Sequence, residues 1–308
     1  ALATGLSACS PGNEPVATQT EAVDQAKLAA EFNQLFADYW EANLKLNPIN
    51  ATFIGDARYN AEMPNFYTAD YRKQIHDMNQ AWLDKALALD GSRLQGPTRI
   101  SYDIFVRERQ LALEGERFPN WMMPIDQFTN IAAFLPMLGS GSSAQPFVTV
   151  QDYDNWLQRG NAVPAIFDQA IANMREGMAA GVVQPKVLMA KVVPQLDAII
   201  QKDPSKTTFW GPIANLPETF SDADKKRLTE AYRVMIAEQL MPAYQRLRDF
   251  IANDYMPACR DTVSLSALPD GEAWYAFNAK TQTTTDLTPA QIHDIGLKEV
   301  DRIHAEMR

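Results

Sequence analysis

The chain has 308 residues, of which 38 are acidic and 28 basic, so its formal net charge at pH 7 is −10. This charge argues against nucleic acid as a partner, because a polyanion is repelled and no cluster of five or more basic residues offsets it. Hydrophobic residues make up 46% of the chain, enough for a large core. No run approaches the ~20 consecutive apolar residues of a membrane-spanning helix, so we expect any membrane attachment to need a lipid.

The amino-terminal residues resemble the end of a bacterial lipoprotein signal peptide. An apolar, uncharged run covers residues 1–8 and ends in Leu6-Ser7-Ala8 directly before Cys9. We therefore predict that Cys9 is acylated after cleavage and anchors the protein to a membrane. Ser10 lacks the aspartate that retains lipoproteins at the inner membrane, which favours the outer membrane, facing the periplasm. The alternative is a chance cysteine in a disordered leader.

Residues 10–20 are polar, contain Pro and Gly, and are predicted to be a flexible tether. After it, residues 21–308 form a mainly α, multi-helix body, since apolar residues recur three and four apart between stop signals. Pro119–Pro146 mixes aromatic residues with prolines and predicts short helices and ordered loop. The predicted longer helices are Glu21–Leu46, Tyr71–Leu89, Thr98–Glu114, Asp152–Ala180, Gln184–Lys202 and Ser221–Asp254.

One small β-hairpin is predicted near residues 263–285. Aromatic and β-branched residues flank the turn sequence Pro269-Asp270-Gly271, a pattern typical of paired strands. Within it, Trp274 and Tyr275 either form a wall of a substrate cleft or pack against a neighbouring helix. Thr288-Pro289-Ala290-Gln291 then predicts the start of a last helix, which reaches Arg308 without a stop signal. We expect that the sequence is cut within this helix, leaving Ile295, Val300, Ile303 and Met307 without their partner surface.

No catalytic or metal-binding residue is predicted within these 308 residues. His293 and His304 are eleven residues apart on one predicted helix, or ~16 Å along its axis, and His76 lies on another. Neither a His-Glu-x-x-His nor a Cys-x-x-Cys motif occurs. Cys259 is left as a free or packed thiol, or as the partner of a cysteine beyond Arg308.

Several segments together resemble the bacterial lipoprotein family known as domain of unknown function 885. They span nearly the whole body, and the most distinctive is the run from Thr283 through Pro289 to Val300. The other segments are Asn47–Asp56, Asp152–Leu157, Met174–Lys186 and Pro242–Tyr244.

This resemblance implies a mainly helical, metallopeptidase-like architecture about twice as long as the present chain. It also implies a zinc-binding His-Glu-x-x-Pro-Gly-His motif in the second half, so zinc is expected only in the full-length protein. The chain is then the amino-terminal half of a lipid-anchored envelope protein that resembles zinc-dependent peptidases. Its expected partners are the membrane, the missing carboxy-terminal half and a peptide substrate. The alternative is a non-catalytic envelope binding or scaffold lipoprotein.

Overall fold

The computed structural model describes residues 16–128 and 130–308, with side chains from residue 24 onward. Over these residues the chain is mainly helical, which confirms the predicted class. It has no β-strand in the described ranges; Pro185 and Arg260 form a single isolated parallel bridge. The α-helices are α1 (Val16–Leu46), α2 (Pro48–Phe53), α3 (Ala69–Leu87), α4 (Gly96–Gly115), α5 (Ile131–Leu138), α6 (Val150–Ala180), α7 (Lys186–Ile199), α8 (Gly211–Ala214), α9 (Asp222–Val234), α10 (Met241–Phe250), α11 (Met256–Ala258), α12 (Gly271–Thr283) and α13 (Pro289–Glu306).

The chain divides into two compact units, and the smaller one comprises residues up to 42 together with 78–112. Its core is aromatic. Phe32 of α1 packs edge-on against Tyr102 and Phe105 of α4, with ring centroids 5.6 and 6.2 Å apart. A side chain at Gly91 would overlap the Tyr102 ring, because its Cβ would lie 2.2 Å from a ring carbon. The core of this unit is therefore held together by close contacts between aromatic rings.

The larger unit comprises residues 43–77 and 113–308, and α6 is its central helix. The helix begins in a capping box: the Thr149 hydroxyl accepts from the amide of Asp152, whose carboxylate accepts from the Thr149 amide. It ends where Gly181 adopts a left-handed conformation with φ of 71°. The prediction of Asp152–Ala180 agrees closely with this helix, because both of its ends carry local signals.

One helical run of residues 222–258 packs against α6. Its predicted first residue, Ser221, caps it by accepting a hydrogen bond from the amide of Asp224. Two π-helical segments, Met235–Leu240 and Ile251–Tyr255, separate α9, α10 and α11. Each is followed within two residues by a proline, Pro242 or Pro257. Proline has no N–H to donate to the helical hydrogen-bond pattern, and its ring clashes with the preceding turn. The wider π-turn accommodates the ring, so the helix continues beyond it.

The predicted hairpin at residues 263–285 is wrong. Residues 265–267 form a 3₁₀ turn and α12 follows from Gly271, with Asp270 left-handed at φ of 51°. The Pro-Asp-Gly turn therefore exists, but it starts a helix. The three-residue spacing of Trp274 and Phe277 places both rings on one helix face against Phe118. This packing decides the conformation, whereas the hairpin prediction relied on aromatic β-propensity, which depends on context.

Candidate functional site

The predicted lipidation residue, Cys9, lies outside the described residues, and its acylation stays a prediction. No helix in the described part of the chain combines the length and the apolar character needed to cross a bilayer.

Trp274 and Tyr275, the predicted cleft residues, have different surroundings. Trp274 is 1% exposed and stacks on Phe118 with centroids 5.5 Å apart. Tyr275, the next residue on α12, is 49% exposed. The structure thus assigns Trp274 to a core that also contains Leu268 and Val182, and leaves only Tyr275 open to solvent. Their contribution to a substrate cleft stays a prediction.

The three histidines lie on two helices, α3 and α13. His76 of α3 contacts Glu116, with 2.6 Å between Nδ1 and Oε2. His293 and His304 are exposed on α13. Among residues 16–128 and 130–308, no three His, Cys, Asp or Glu side chains are grouped closely enough to hold a metal ion. Cys259 is a free, buried thiol, and burial raises its pKa to about 11.

An apolar concavity lies in the larger unit, and we call it the apolar groove. Its volume is about 530 Å³, within the range of small-ligand sites. It is lined by Phe66, Tyr67, Phe128, Asn130, Ile131, Ala133, Phe134 and Met137.

One wall is built by α5 and the turn before it. The Asn130 side chain caps α5: its Oδ1 accepts from the Ala133 amide at 2.8 Å, and its Nδ2 donates to the Asp126 carbonyl. The Asp126 carboxylate accepts from the Phe128 amide at 2.6 Å. Leu135 on the opposite side of α5 is fully buried. Packing on one side and capping at the start therefore fix the helix face that lines the groove.

The other wall is formed by Phe66 and Tyr67, whose rings are nearly perpendicular with centroids 4.7 Å apart. The Tyr67 hydroxyl donates to the Pro124 carbonyl at 3.3 Å. The Tyr67 carbonyl accepts from Asn173 at 2.9 Å and from Arg72 at 2.8 Å. Burial raises the pKa of Tyr67 well above its ordinary value, so the hydroxyl stays neutral at physiological pH. These bonds hold the wall in place before any ligand arrives.

The rim of the groove leaves large apolar side chains in solvent. Phe128 is 84% exposed, and Met137 is 49% exposed. Phe53 of α2 is 46% exposed and lies 5.6 Å from the ring of Phe134. Clustered exposed apolar side chains mark binding surfaces more often than isolated ones do. Among the described lining residues there is no carboxylate, imidazole or thiol.

A second concavity, of about 500 Å³, is charged and lies between α6 and residues 246–254. Two ion pairs cross it: Arg175 with Asp254 at 2.9 Å, and Arg246 with Asp168 at 3.1 Å. All four side chains are substantially exposed, and exposed pairs of this kind contribute little energy. The apolar groove is the better candidate site.

Sequence reasoning missed the groove. Its residues come from segments that are far apart in the sequence, around Phe66 and around Phe134, and no periodic pattern joins them. The one usable signal was the unusual character of Pro119–Pro146, where aromatic residues and prolines occur without helical spacing. That stretch supplies six of the eight lining residues.

The family is shown by a sequence match over most of the chain. The model of the family described as bacterial protein of unknown function (DUF885) matches residues 48–308. The chain belongs to this family. No curated protein is similar enough to this chain to count as a match.

A solved structure shares the fold. It is described as "the putative lipoprotein from Colwellia psychrerythraea", with 18% sequence identity and a TM-score of 0.75. The match covers 92% of the present chain and 50% of that one. This DUF885 chain therefore spans about half the length of the protein that it resembles.

Proposed function

We propose that this DUF885 protein is a lipid-anchored component of the bacterial cell envelope, whose helical body binds an apolar segment of a peptide in the apolar groove. The observation that carries the proposal is the groove itself. Its volume is about 530 Å³, hydrogen bonds fix both of its walls, and its rim includes the exposed aromatic ring of Phe128. The anchor is supported by the signal-peptide-like residues before Cys9 and by the solved structure's description as a putative lipoprotein. Ser10 favours the outer membrane, with the body in the periplasm.

We further propose that the protein acts as a zinc-dependent hydrolase, in which these residues supply substrate binding and residues outside them supply the metal ligands. This division is supported by the resemblance noted from the sequence and by the greater length of the solved structure. The second candidate is an envelope binding or scaffold lipoprotein without hydrolysis. It is favoured by the composition of the groove, whose lining side chains include no carboxylate, imidazole or thiol.

Peptide binding is tested with Phe128→Ser in the full-length protein. Removing this ring should weaken the binding of an aromatic-rich peptide about tenfold, since hot-spot aromatic residues contribute a large share of binding energy. Val263→Ser is the matched control, because Val263 is 70% exposed and does not line the groove. Calorimetric titration measures both. If the two variants and the wild type bind the peptide with equal affinity, the groove is not the binding site.

The anchor is tested separately by expressing the precursor with labelled palmitate. The wild-type protein should carry the label and fractionate with membranes, and Cys9→Ser should do neither. Label that survives the substitution, or wild-type protein found wholly in the soluble fraction, contradicts acylation at Cys9.

A third experiment separates the enzyme from the scaffold. Hydrolysis of a peptide by the full-length protein that a chelator abolishes and added zinc restores supports the enzyme.

A further inference from the structure

Two basic residues of the smaller unit have no acidic partner among the described residues. They are Lys85 of α3 and Arg109 of α4. The other basic residues described in this unit each form an ion pair: Lys27 with Glu31, Arg93 with Asp24, Arg99 with Asp103 and Arg107 with Glu108. In a chain with a net charge of −10, the two unpaired cations require an explanation.

Both unpaired cations lie on one group of aromatic rings. The ring of Tyr39 meets those of Trp82 and Phe105 nearly edge-on, with centroids 5.8 and 5.0 Å away. The guanidinium carbon of Arg109 lies 4.7 Å from the Tyr39 centroid. The Nζ of Lys85 lies 3.9 Å from the Trp82 centroid. Aromatic ring faces attract cations, so these contacts favour the two positive charges beside neighbouring rings. We call these five residues the cationic cluster.

Arg109 is half-buried, but its guanidinium makes no hydrogen bond to the described residues. Its Nε is buried without a partner, and the Phe105 centroid lies 5.5 Å from its guanidinium carbon. Burial lowers the pKa of Arg109, because loss of water disfavours the charged form. A bound anion would offset this loss of water and supply acceptors that the described residues do not provide.

Arg159 shows how the same chain satisfies a guanidinium without a ligand. It is fully buried and donates to five uncharged acceptors in the larger unit. Arg109 has no such acceptors, and part of its side chain faces solvent. A guanidinium presents its donors in a planar fork that matches two oxygens of a carboxylate or a phosphate. The unused fork of Arg109 therefore points to an oxyanion from outside the chain.

We propose that the cationic cluster binds a phosphate dianion, either inorganic phosphate or a phosphate monoester. Two unpaired cations favour a group with more than one negative charge, and a phosphate monoester carries about −1.5 to −2 at pH 7. Two of its oxygens can accept from the fork of Arg109 and a third from the ammonium of Lys85. Lys85 is exposed, and its flexible four-carbon chain lets the ammonium move toward a group bound at Arg109. A carboxylate has only one charge and two oxygens.

Titration calorimetry of the full-length protein with inorganic phosphate tests the proposal. Arg109→Gln should weaken binding at least about tenfold, because it removes the fork and one charge. Lys85→Gln removes an exposed charge and should weaken binding about threefold. Arg99→Gln is the matched control, since it removes an arginine of the same helix that is paired with Asp103; it should change the affinity less than about twofold. Lys85→Gln leaves the buried core untouched, so it remains informative if Arg109→Gln does not fold.

Three further ligands identify the bound group. Dimethyl phosphate and acetate each carry one negative charge and should bind at least about fivefold more weakly than inorganic phosphate. Glycerol 1-phosphate that binds as tightly as inorganic phosphate, or more tightly, assigns the site to a monoester, and weaker binding assigns it to the free ion. The proposal is wrong if the folded wild type binds neither of these two, if acetate binds as tightly as phosphate, or if Lys85→Gln and every folded Arg109 variant keep the wild-type affinity.

Discussion

Helices α6 and α13 begin with the same kind of capping box, at Thr149 and Thr288, but differ completely in burial. Eleven of the 31 residues of α6 are buried, and none of the 18 residues of α13 is. Local sequence signals thus start both helices equally well. What separates them is the presence of neighbours: α6 packs against α10 and the π-helical segments, while α13 has a stripe of apolar residues in solvent. Amphipathicity shows that a face needs a partner, but not which one.

The largest expected contrast concerns an arginine on each helix. Arg159 of α6 is fully buried, and its guanidinium donates to five acceptors that carry no formal charge. They are the carbonyls of Pro48, Tyr59 and Glu62, the hydroxyl of Thr52 and the side-chain oxygen of Gln145. Burial lowers the pKa of Arg159 to about 10, so the residue is still charged at neutral pH.

Arg159→Ala should lower the free energy of unfolding by about 3–5 kcal/mol, because it removes five hydrogen bonds, leaves the buried Gln145 Oε1 without this donor and opens a cavity. Arg302→Ala on α13 removes exposed ion pairs with Glu299 and Glu306 and should cost less than about 1 kcal/mol. Urea unfolding measures both. If the two variants lose similar free energies of unfolding, the contrast between a buried α6 and an exposed α13 is wrong.

A smaller contrast comes from the two caps. Thr149→Ala should destabilise the protein by about 1 kcal/mol, since α6 unfolds with the core that it forms. Thr288→Ala removes an equivalent hydrogen bond, but in residues 1–308 it should only loosen α13 and leave the midpoint of global unfolding unchanged. Thermal unfolding together with amide exchange in α13 distinguishes global from local effects. A lowered midpoint in Thr288→Ala would show that α13 is coupled to the core.

The last contrast is a pH dependence, from the core that contains α6. Burial raises the pKa of Cys259 from about 9 to about 11. In the unfolded chain the thiol loses its proton first, so its contribution is fully present below pH 9 and is lost as the pH rises toward 11. The urea midpoint should therefore fall over this window. Cys259→Ala should show a shallower decline, and identical slopes would contradict a buried, protonated thiol.

Some regions of the structure could be predicted from the sequence and others could not, for physical reasons. The starts of α6, α9 and α13 were predictable because at each a side chain bonds to an amide only three residues away. The 222–258 helix was predicted as one element, but its π-turns were not. The hairpin prediction failed because the ring of Trp274 finds its partner, Phe118, more than 150 positions earlier in the chain. No local pattern contains that contact.

The candidate site shows the same division. The sequence by itself determined the helical class, the capping boxes and the signal-peptide-like approach to Cys9, because these features depend on composition and on neighbours along the chain. The tertiary structure alone decided that Phe66 and Phe134 share a groove, and that Trp274 is buried while Tyr275 is exposed. Burial is set by which distant segments meet, and periodicity identifies an apolar face without identifying the segment that covers it.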